Sequence, residues 1–251
     1  MYRETEKRLR NEIACLPTLR RHLSTQVPDY EFIWNGGRKY PHWFGGYRKI
    51  NGVIVQSRPF RKEWTRSLAA QITGFLKELR KVRFERSLLR GLPTYSGEEW
   101  FRSMRLQYRK IRRIVYPLLN SKLRARSEAF WKSLLSEFAE ADFEPRLMHG
   151  DLGIYNILFD PPSVRLTGII DWGYIQIGDP ALEFAHLFLH RSELGEEVLQ
   201  QYGTEDSTFK ERIKWYVDSE PFYDVMWGID HHRDKEKKLG LKQLKSSLGT
   251  D

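Results

Sequence analysis

Apolar residues recur along the chain with two different periods, and the change of period separates helical from extended segments. From Thr5 to Leu23 they lie three or four positions apart, as on one face of a helix. Pro17 falls inside this segment, so we expect a kink or a break near Leu16. Short apolar runs separated by Gly-rich turns then predict strands at 30–34, 43–50 and 53–55.

The remainder of the chain is mostly helical in pattern, with a second extended region inside it. Apolar stripes predict helices at 65–80, 98–116 and 122–140. Residues 147–179 change to short apolar runs with tight loops, and helical spacing returns from Pro180 onward, where Pro221 is expected to begin a new helix. This order predicts an α+β fold: a helix, a small antiparallel sheet, and a helical body that holds a short β-hairpin.

Composition narrows the class of protein. The chain has 251 residues, 40% of them hydrophobic and 14% aromatic, which suits a folded domain with a sizeable core. The sequence contains no run of about 18 apolar residues and no signal-peptide pattern, so we expect no membrane partner and a cytoplasmic location. Cys15 is the single cysteine, which excludes an internal disulfide. We expect it to be a small core residue.

The net charge of +9 is unevenly distributed along the chain. Residues 1–140 hold 30 Lys and Arg against 13 Asp and Glu, a balance of +17. Residues 141–251 hold 12 against 20, a balance of −8. Most of the basic residues are spaced along predicted helices, where they are explained as the solvent-exposed face. Charge alone supports only non-specific contact with nucleic acid. We therefore expect no specific nucleic-acid partner.

The acidic half contains the residues that are best suited to chemistry. His149-Gly150-Asp151 is followed, after four intervening residues, by Asn156, and a second extended segment leads to Asp171. Each of these residues taken singly is more often a turn or capping residue. Together, a carboxylate that can accept a hydroxyl proton and oxygen ligands that suit Mg²⁺ are what phosphoryl transfer needs.

These motifs resemble those of the aminoglycoside and macrolide phosphotransferases, within the wider protein-kinase-like fold. His149-Gly150-Asp151-x₄-Asn156 is similar to the catalytic loop of that family, and Ile170-Asp171-Trp172-Gly173 to its metal-binding motif. The resemblance implies that Asp151 is the catalytic base and that Asn156 and Asp171 bind Mg²⁺. His149 and Asp179 would support the loop by hydrogen bonds.

The same resemblance implies a nucleotide site and a two-lobed architecture. ATP or GTP would lie under a hinge near residues 48–52, in contact with Arg48, Ile50 and Ile170. The expected lobes are 1–55, a truncated N-terminal lobe, and 56–251, a mainly helical C-terminal lobe with the catalytic loop at 147–160 and the metal-binding segment at 168–180.

One part of the family pattern precedes the first helix and is not found in this sequence. Glu12 matches the helix glutamate that pairs, in the family, with a lysine on an upstream strand beside a Gly-rich loop. Two interpretations stay open: a start assigned too late, which we favour, or a degenerate member of the family. We expect weak nucleotide binding and little transfer from residues 1–251 alone.

The resulting functional hypothesis is a Mg²⁺-dependent phosphotransferase that acts on a hydroxyl of a small molecule, such as an aminoglycoside or another antibiotic. The alternative is a kinase-like binding protein without turnover. We expect a monomer.

Two further sets of side chains are candidates for ligand contacts. On the last helical segment, aromatic rings and carboxylates at spacings of four could meet a cationic sugar, although an ordinary amphipathic helix explains them equally; they are Glu220, Tyr223, Asp224 and Trp227. His186 and His190 are also four apart, but the zinc-protease pattern fails between them, so we expect a packed or solvated pair.

Overall fold

The computed structural model describes residues 2–56, 61–85, 91–140 and 142–248. The chain forms two compact units. One consists of Met1–Thr94 and Pro145–Glu205, and the other of Tyr95–Glu144 and Asp206–Asp251. Within the described ranges, no helix is both long enough and apolar enough to cross a membrane.

The helices and strands have the following bounds in chain order. They are α1 (Tyr2–His22), β1 (Tyr30–Asn35), β2 (Trp43–Tyr47), β3 (Val53–Ile54), α2 (Trp64–Leu79), α3 (Gly97–Ile114), α4 (Ser121–Glu140), β4 (Arg146–Met148), β5 (Ile157–Asp160), β6 (Arg165–Ile169), β7 (Gln176–Gly178), α5 (Ala181–His190), α6 (Ser192–Tyr202), α7 (Phe209–Asp230) and α8 (Asp234–Ser247). Short 3₁₀ turns cover Tyr116–Leu118 and Trp172–Tyr174.

Helix α1 continues through Pro17, so the break expected near Leu16 does not occur. Pro17 is exposed, whereas Leu16 and Thr18 on either side of it are buried. Packing of both halves on one core offsets the hydrogen bond that proline cannot make. Cys15 is 2% exposed and is a core residue, as predicted.

Strands β1 and β2 form an antiparallel hairpin in which Tyr30 pairs with Tyr47 and Asn35 with Trp43. The second strand was expected to reach Ile50, but it ends at Tyr47. Ile50 is buried instead against Gly168 of β6, where a Cβ atom would lie 2.7 Å from Ile50 Cγ2. Because the Ile50 side chain is buried against β6, the chain after Tyr47 no longer pairs with β1.

Two sets of antiparallel strands place two loops at one end of the first unit. Strands β3, β5 and β6 form one sheet, and β4 pairs with β7 in another. Because β5 and β6 form a hairpin, and because the strands before and after that hairpin pair with each other, both connections leave from its open end. The first connection is residues 149–156, here called the HGD loop, and the second is residues 170–175, here called the DWG loop.

Helices α2, α5 and α6 enclose the apolar side of the first unit. The buried face of α2 is the apolar stripe that the sequence predicts; it consists of Leu68, Ala69, Ile72, Phe75, Leu76 and Leu79. The Phe75 ring meets Trp172 of the DWG loop edge to face at a centroid distance of 6.0 Å. The core of this unit therefore extends directly beneath that loop.

In the second unit, α3 begins with a capping box. The N–H of Glu99 donates to Ser96 Oγ at 3.2 Å, and the N–H of Ser96 donates to Glu99 Oε2 at 2.8 Å. The Trp100 indole then donates to the Tyr216 hydroxyl of α7 at 2.7 Å. These contacts fix α3 to α7 by a buried hydrogen bond.

Helix α7 also contains its proline, Pro221, which was expected to begin a new helix. Its close packing on α8 explains why the helix continues. A Cβ atom at Gly240 would lie 2.9 Å from the Pro221 carbonyl oxygen, and one at Gly228 would lie 2.5 Å from the Lys237 nitrogen. Such close backbone approach holds α7 in helical form on both sides of Pro221.

Candidate active site

His149 joins the HGD loop to the DWG loop. Its Nε2 donates to the Ile170 carbonyl oxygen at 3.0 Å, and its Nδ1 accepts the N–H of Asp151 at 3.2 Å. Its ring lies 4.6 Å from that of Trp172. Burial lowers the pKa of His149 to about 4, so the ring is neutral and bridges the two loops. The supporting role of His149 in a reaction stays a prediction.

Gly150 adopts a conformation that only glycine can occupy without a clash. Its φ is +82°, and a Cβ atom would lie 2.2 Å from the Tyr174 carbonyl oxygen. Its N–H donates to Glu183 Oε1 of α5 at 2.6 Å. Gly150 therefore allows the HGD loop to pass between the DWG loop and α5.

Asp151 and Asn156 lie at the two ends of the HGD loop and contact each other. The Asn156 amide nitrogen donates to the Asp151 carbonyl oxygen at 2.8 Å and to its carboxylate at 3.2 Å. Burial, and then the negative charge of Asp171, raise the pKa of Asp151 to about 6, while the Asn156 hydrogen bond opposes that rise. Since the amide nitrogen of Asn156 is the donor here, its amide oxygen remains as the atom that could bind a metal.

Asp171 begins the DWG loop in a left-handed conformation, with φ 64° and ψ 64°. Trp172 fixes this conformation, because it is fully buried and its indole donates to the Ile169 carbonyl oxygen at 3.0 Å. Asp171 itself is exposed. A non-glycine residue held in this region by its surroundings is typical of functional sites.

Glu12 of α1 adds a third carboxyl group. Burial, and then the charge of Asp171, raise the pKa of Glu12 to about 7, while hydrogen bonds from the Trp172 backbone and the Tyr30 hydroxyl lower it. The Glu12 side chain of α1 thus contacts the DWG loop next to Asp171. A supporting role for Glu12 stays a prediction.

The donor set of this site fits a divalent cation. Asp171 raises the pKa of both neighbouring carboxyls, Asp151 and Glu12, so negative charge accumulates there. In the described residues, no group of three or more His, Cys, Asp or Glu has the arrangement of a metal site. An amide and a carboxylate suit Mg²⁺, which usually takes few protein ligands and completes its shell with water and phosphate oxygens.

Asp179 and Glu183 both belong to the segment after the DWG loop and both are buried. Asp179 Oδ1 accepts the N–H of Ala181 at 3.0 Å, at the start of α5. The Gly150 N–H donates instead to Glu183, to which sequence reasoning gave no role. An acidic residue in the otherwise apolar run of α5 was the signal that could have identified it.

The predicted nucleotide contacts lie on different elements. Arg48 is exposed and forms an ion pair with Glu31 at 2.7 Å. Ile50 packs on β6, and the Ile170 N–H donates to the Asn156 carbonyl oxygen at 3.0 Å. Ile170 is therefore in direct contact with the site, whereas the Arg48 side chain is held by β1. The nucleotide-binding role of all three stays a prediction.

The predicted substrate residues lie on α7 of the second unit. Glu220, Tyr223 and Asp224 are half-buried, and Trp227 is 45% exposed. The Trp227 ring stacks on His231 at 4.6 Å. Burial raises the pKa of Asp224. Their role as acceptor contacts stays a prediction.

The two histidines of α5, His186 and His190, interact with each other, and His190 also contacts the HGD loop. Burial, and then the charge of His190, lower the pKa of His186 to about 4. The His190 ring meets Tyr155 of the HGD loop edge to face at 5.0 Å. His186 is thus neutral, and His190 is an exposed ring that packs on Tyr155.

A family model described as "Phosphotransferase enzyme family" matches residues 2–216. The chain belongs to this family. The match includes the HGD loop, the DWG loop and the segment with Asp179 and Glu183, so the resemblance seen in these motifs is confirmed.

One curated relative agrees with this assignment. The chain is 30% identical over 158 residues to viomycin phosphotransferase of Streptomyces vinaceus, a match that covers 60% of this chain and 51% of that protein. The chain therefore spans about half the length of this curated relative.

Solved structures show the same fold. The GDP complex of aminoglycoside 2'-phosphotransferase-IIIa has a TM-score of 0.84 at 24% identity, covering 98% of this chain and 83% of that one. The macrolide 2'-phosphotransferase of Brachybacterium faecium has a TM-score of 0.70 at 17% identity, covering 94% and 79%. These matches confirm the predicted α+β, protein-kinase-like fold with small sheets and a helical C-terminal lobe.

Proposed function

We propose that this phosphotransferase-family chain transfers the γ-phosphate of ATP or GTP to a hydroxyl group of an antibiotic, in a Mg²⁺-dependent reaction. The observation that carries the proposal is the convergence of three side chains at one end of the first unit: Asp151, Asn156 and Asp171. Asp151 and Asn156 are joined by a hydrogen bond, and Asp171 acts electrostatically on Asp151.

Asp151 is the proposed general base. In the transfer, the acceptor hydroxyl gives its proton to the Asp151 carboxylate while its oxygen forms a bond to the γ-phosphorus. The bond from that phosphorus to the bridging oxygen breaks, and the nucleoside diphosphate leaves. A pKa of about 6 leaves Asp151 mostly ionised at neutral pH, yet basic enough to accept the proton.

Asn156 and Asp171 are the proposed metal ligands, through the amide oxygen and the carboxylate. Mg²⁺ bound there would neutralise charge on the nucleotide phosphates. His149 holds the two loops that carry the proposed ligands against each other by its hydrogen bond to Ile170.

The class of acceptor is inferred from the relatives. One is named for viomycin, and another is an aminoglycoside phosphotransferase solved with GDP. Both acceptors are cationic, and the half of this chain with residues 141–251 has the balance of −8 that would attract them. The carboxylates Glu220 and Asp224 are the proposed contacts for ammonium groups.

The test is a transfer assay on the purified chain with γ-labelled ATP or GTP and MgCl₂. Viomycin, kanamycin and erythromycin serve as acceptors, and D151N serves as the matched control. We expect weak but measurable label on one acceptor with the parent chain and none above background with D151N. Mg²⁺-dependent nucleotide protection in a thermal-shift assay, with no labelled product from any hydroxyl acceptor, would contradict the proposal and favour a binding protein without turnover.

A further inference from the structure

Glu183 is a buried carboxyl group that the proposed reaction does not use. It lies on α5 and is 2% exposed. Oε1 accepts the Gly150 N–H at 2.6 Å. Oε2 is fully buried and finds no hydrogen-bond partner among the residues that the structure describes.

A carboxylate in this position would be costly. An ionised oxygen without a partner loses its hydration without compensation, whereas a neutral acid loses much less. Asp151, which follows Gly150 directly, adds a negative charge nearby. Burial is the largest cause that raises the pKa of Glu183 to about 8; the Gly150 N–H opposes the rise, Asp151 adds to it, and the His149 backbone opposes it.

We propose that Glu183 is a positioning residue that holds the HGD loop as a neutral carboxylic acid, with Oε1 as the acceptor for Gly150 and the proton on Oε2. The part of the loop next to Asp151 is thereby fixed, and no second negative charge is placed near the proposed base. The inference depends on the proposed function only for the role of Asp151. Its tests measure folding and hydrogen exchange, so they can fail or succeed whether or not transfer is found.

The groups that face Glu183 come from two directions. The HGD loop contributes Asp151 and the backbone of His149, whose own ring is neutral. Tyr202 of α6 interacts electrostatically with Glu183, and Arg80 acts on Tyr202 in turn. Burial raises the pKa of Tyr202, so this side chain stays neutral over the range in which Glu183 would titrate.

The first test compares unfolding of the parent chain and Glu183→Gln between pH 5 and pH 9. A pKa raised on folding gives stability that is complete below the ordinary pKa of glutamate and is lost as pH rises toward 8. Relative to the glutamine variant, the unfolding constant of the parent should rise by up to about ten-fold per pH unit across that interval. Any effect of the amide itself is the same at every pH.

Glu196→Gln, at an exposed glutamate of α6, is the matched control and should follow the parent at every pH. An ionised Glu183 predicts the opposite pattern: Glu183→Gln would be destabilised at pH 5 and pH 9 alike, because a charge-assisted hydrogen bond is lost. A parent-to-variant ratio that does not change with pH would overturn the proposal.

The second test measures hydrogen exchange of the Gly150 amide by NMR at one pH. Glu183→Ala removes the acceptor and should accelerate exchange at Gly150 at least ten-fold, whereas Glu183→Gln retains an acceptor oxygen and should restore protection. The backbone N–H of Asn156, which donates to the Gly153 carbonyl oxygen at 2.9 Å, is the internal reference. Equal acceleration at both amides in the alanine variant would indicate general loosening and would overturn the positioning role.

Discussion

Buried charge is handled differently in the two units. In the first, Glu12, Asp151 and Glu183 are carboxyls whose pKa is raised, with burial as the main cause and a neighbouring carboxyl adding to it. In the second, Arg212 is fully buried and its guanidinium donates to Asp206 at 2.7 and 3.1 Å. Burial alone would raise the pKa of Asp206, but the hydrogen bonds and charge of Arg212, together with Thr208, lower it.

The difference separates a site from a structural pair. Like charges held together are unfavourable until a cation or a proton joins them, which is the arrangement that the proposed ligand site of the first unit requires. Opposite charges with matched hydrogen bonds need nothing further. The Arg212 guanidinium also lies 5.0 Å from the Phe143 ring and 5.6 Å from the Phe209 ring. The predictions below test this contrast.

The largest effect is expected at the proposed base. Asp151→Asn removes the proton acceptor and changes almost no volume, so the rate of transfer should fall by about 10²–10⁴. The urea midpoint should stay the same or increase, because an unfavourable buried charge is removed. Transfer assays and urea unfolding on the same preparation measure both quantities. Parent-like turnover would show that Asp151 is not the base.

For the ion pair of the buried Arg212 with Asp206, we expect a loss of stability. Arg212→Met leaves Asp206 without its buried partner and should lower the free energy of unfolding by about 3–5 kcal/mol. Lys214→Met is the control, because it breaks the exposed ion pair with Asp218 on the same helix and should cost only about 0–1 kcal/mol. Equal losses in urea unfolding would mean that burial of Arg212 does not matter.

Acid should destabilise the first unit through its neutral histidines. The pKa of His186 is lowered from 6.5 to about 4 on folding, so the stability it contributes is complete above pH 6.5 and is lost as pH falls toward 4. His186→Met removes this titration. Between pH 7 and pH 4 the parent should lose up to about 3 kcal/mol more than the variant.

The control for that measurement is His22→Gln, at an exposed histidine of α1. Its unfolding free energy should follow the parent from pH 7 to pH 4. If His186→Met also follows the parent, the buried imidazole is not a source of acid sensitivity.

The smallest effect is expected on α7, where half-buried carboxylates face no established ligand. In an active enzyme, Glu220→Gln combined with Asp224→Asn should raise KM for kanamycin by roughly two- to five-fold, the size expected for ion pairs in contact with water. KM for the nucleotide should not change. A neutral acceptor provides the comparison, and an equal rise for both acceptors would place these carboxylates outside the acceptor site.

The candidate site residues that the sequence groups together are close to one another in the structure where they are also close along the chain. Asp151 and Asn156 are five positions apart on one loop, so local spacing alone brings them into contact. Asp171 follows the next strand of a hairpin, and antiparallel pairing returns it to the same end. The family match is consistent with this, since it includes all three residues. Their catalytic and metal-binding roles stay predictions.

Prediction failed where a distant contact decides the outcome. Glu183 is 33 positions from Gly150, and its burial depends on how α5 packs against the HGD loop. An acidic residue in an apolar helical run marks Glu183 as unusual, but it does not name its partner, because helical spacing describes faces and not partners. Tertiary packing alone assigns it to the loop.

The two helix prolines show the same division. Local rules place a helix boundary at Pro17 and Pro221, because proline removes a backbone donor and crowds the preceding turn. Both helices continue, with buried residues on either side of Pro17 and with Gly240 of α8 against Pro221. The sequence by itself determined the periodic apolar faces, the loop chemistry and the family, since these depend on neighbours along the chain. The tertiary structure decided helix continuity and the partners of buried charges, because their energies come from contacts between residues far apart in sequence.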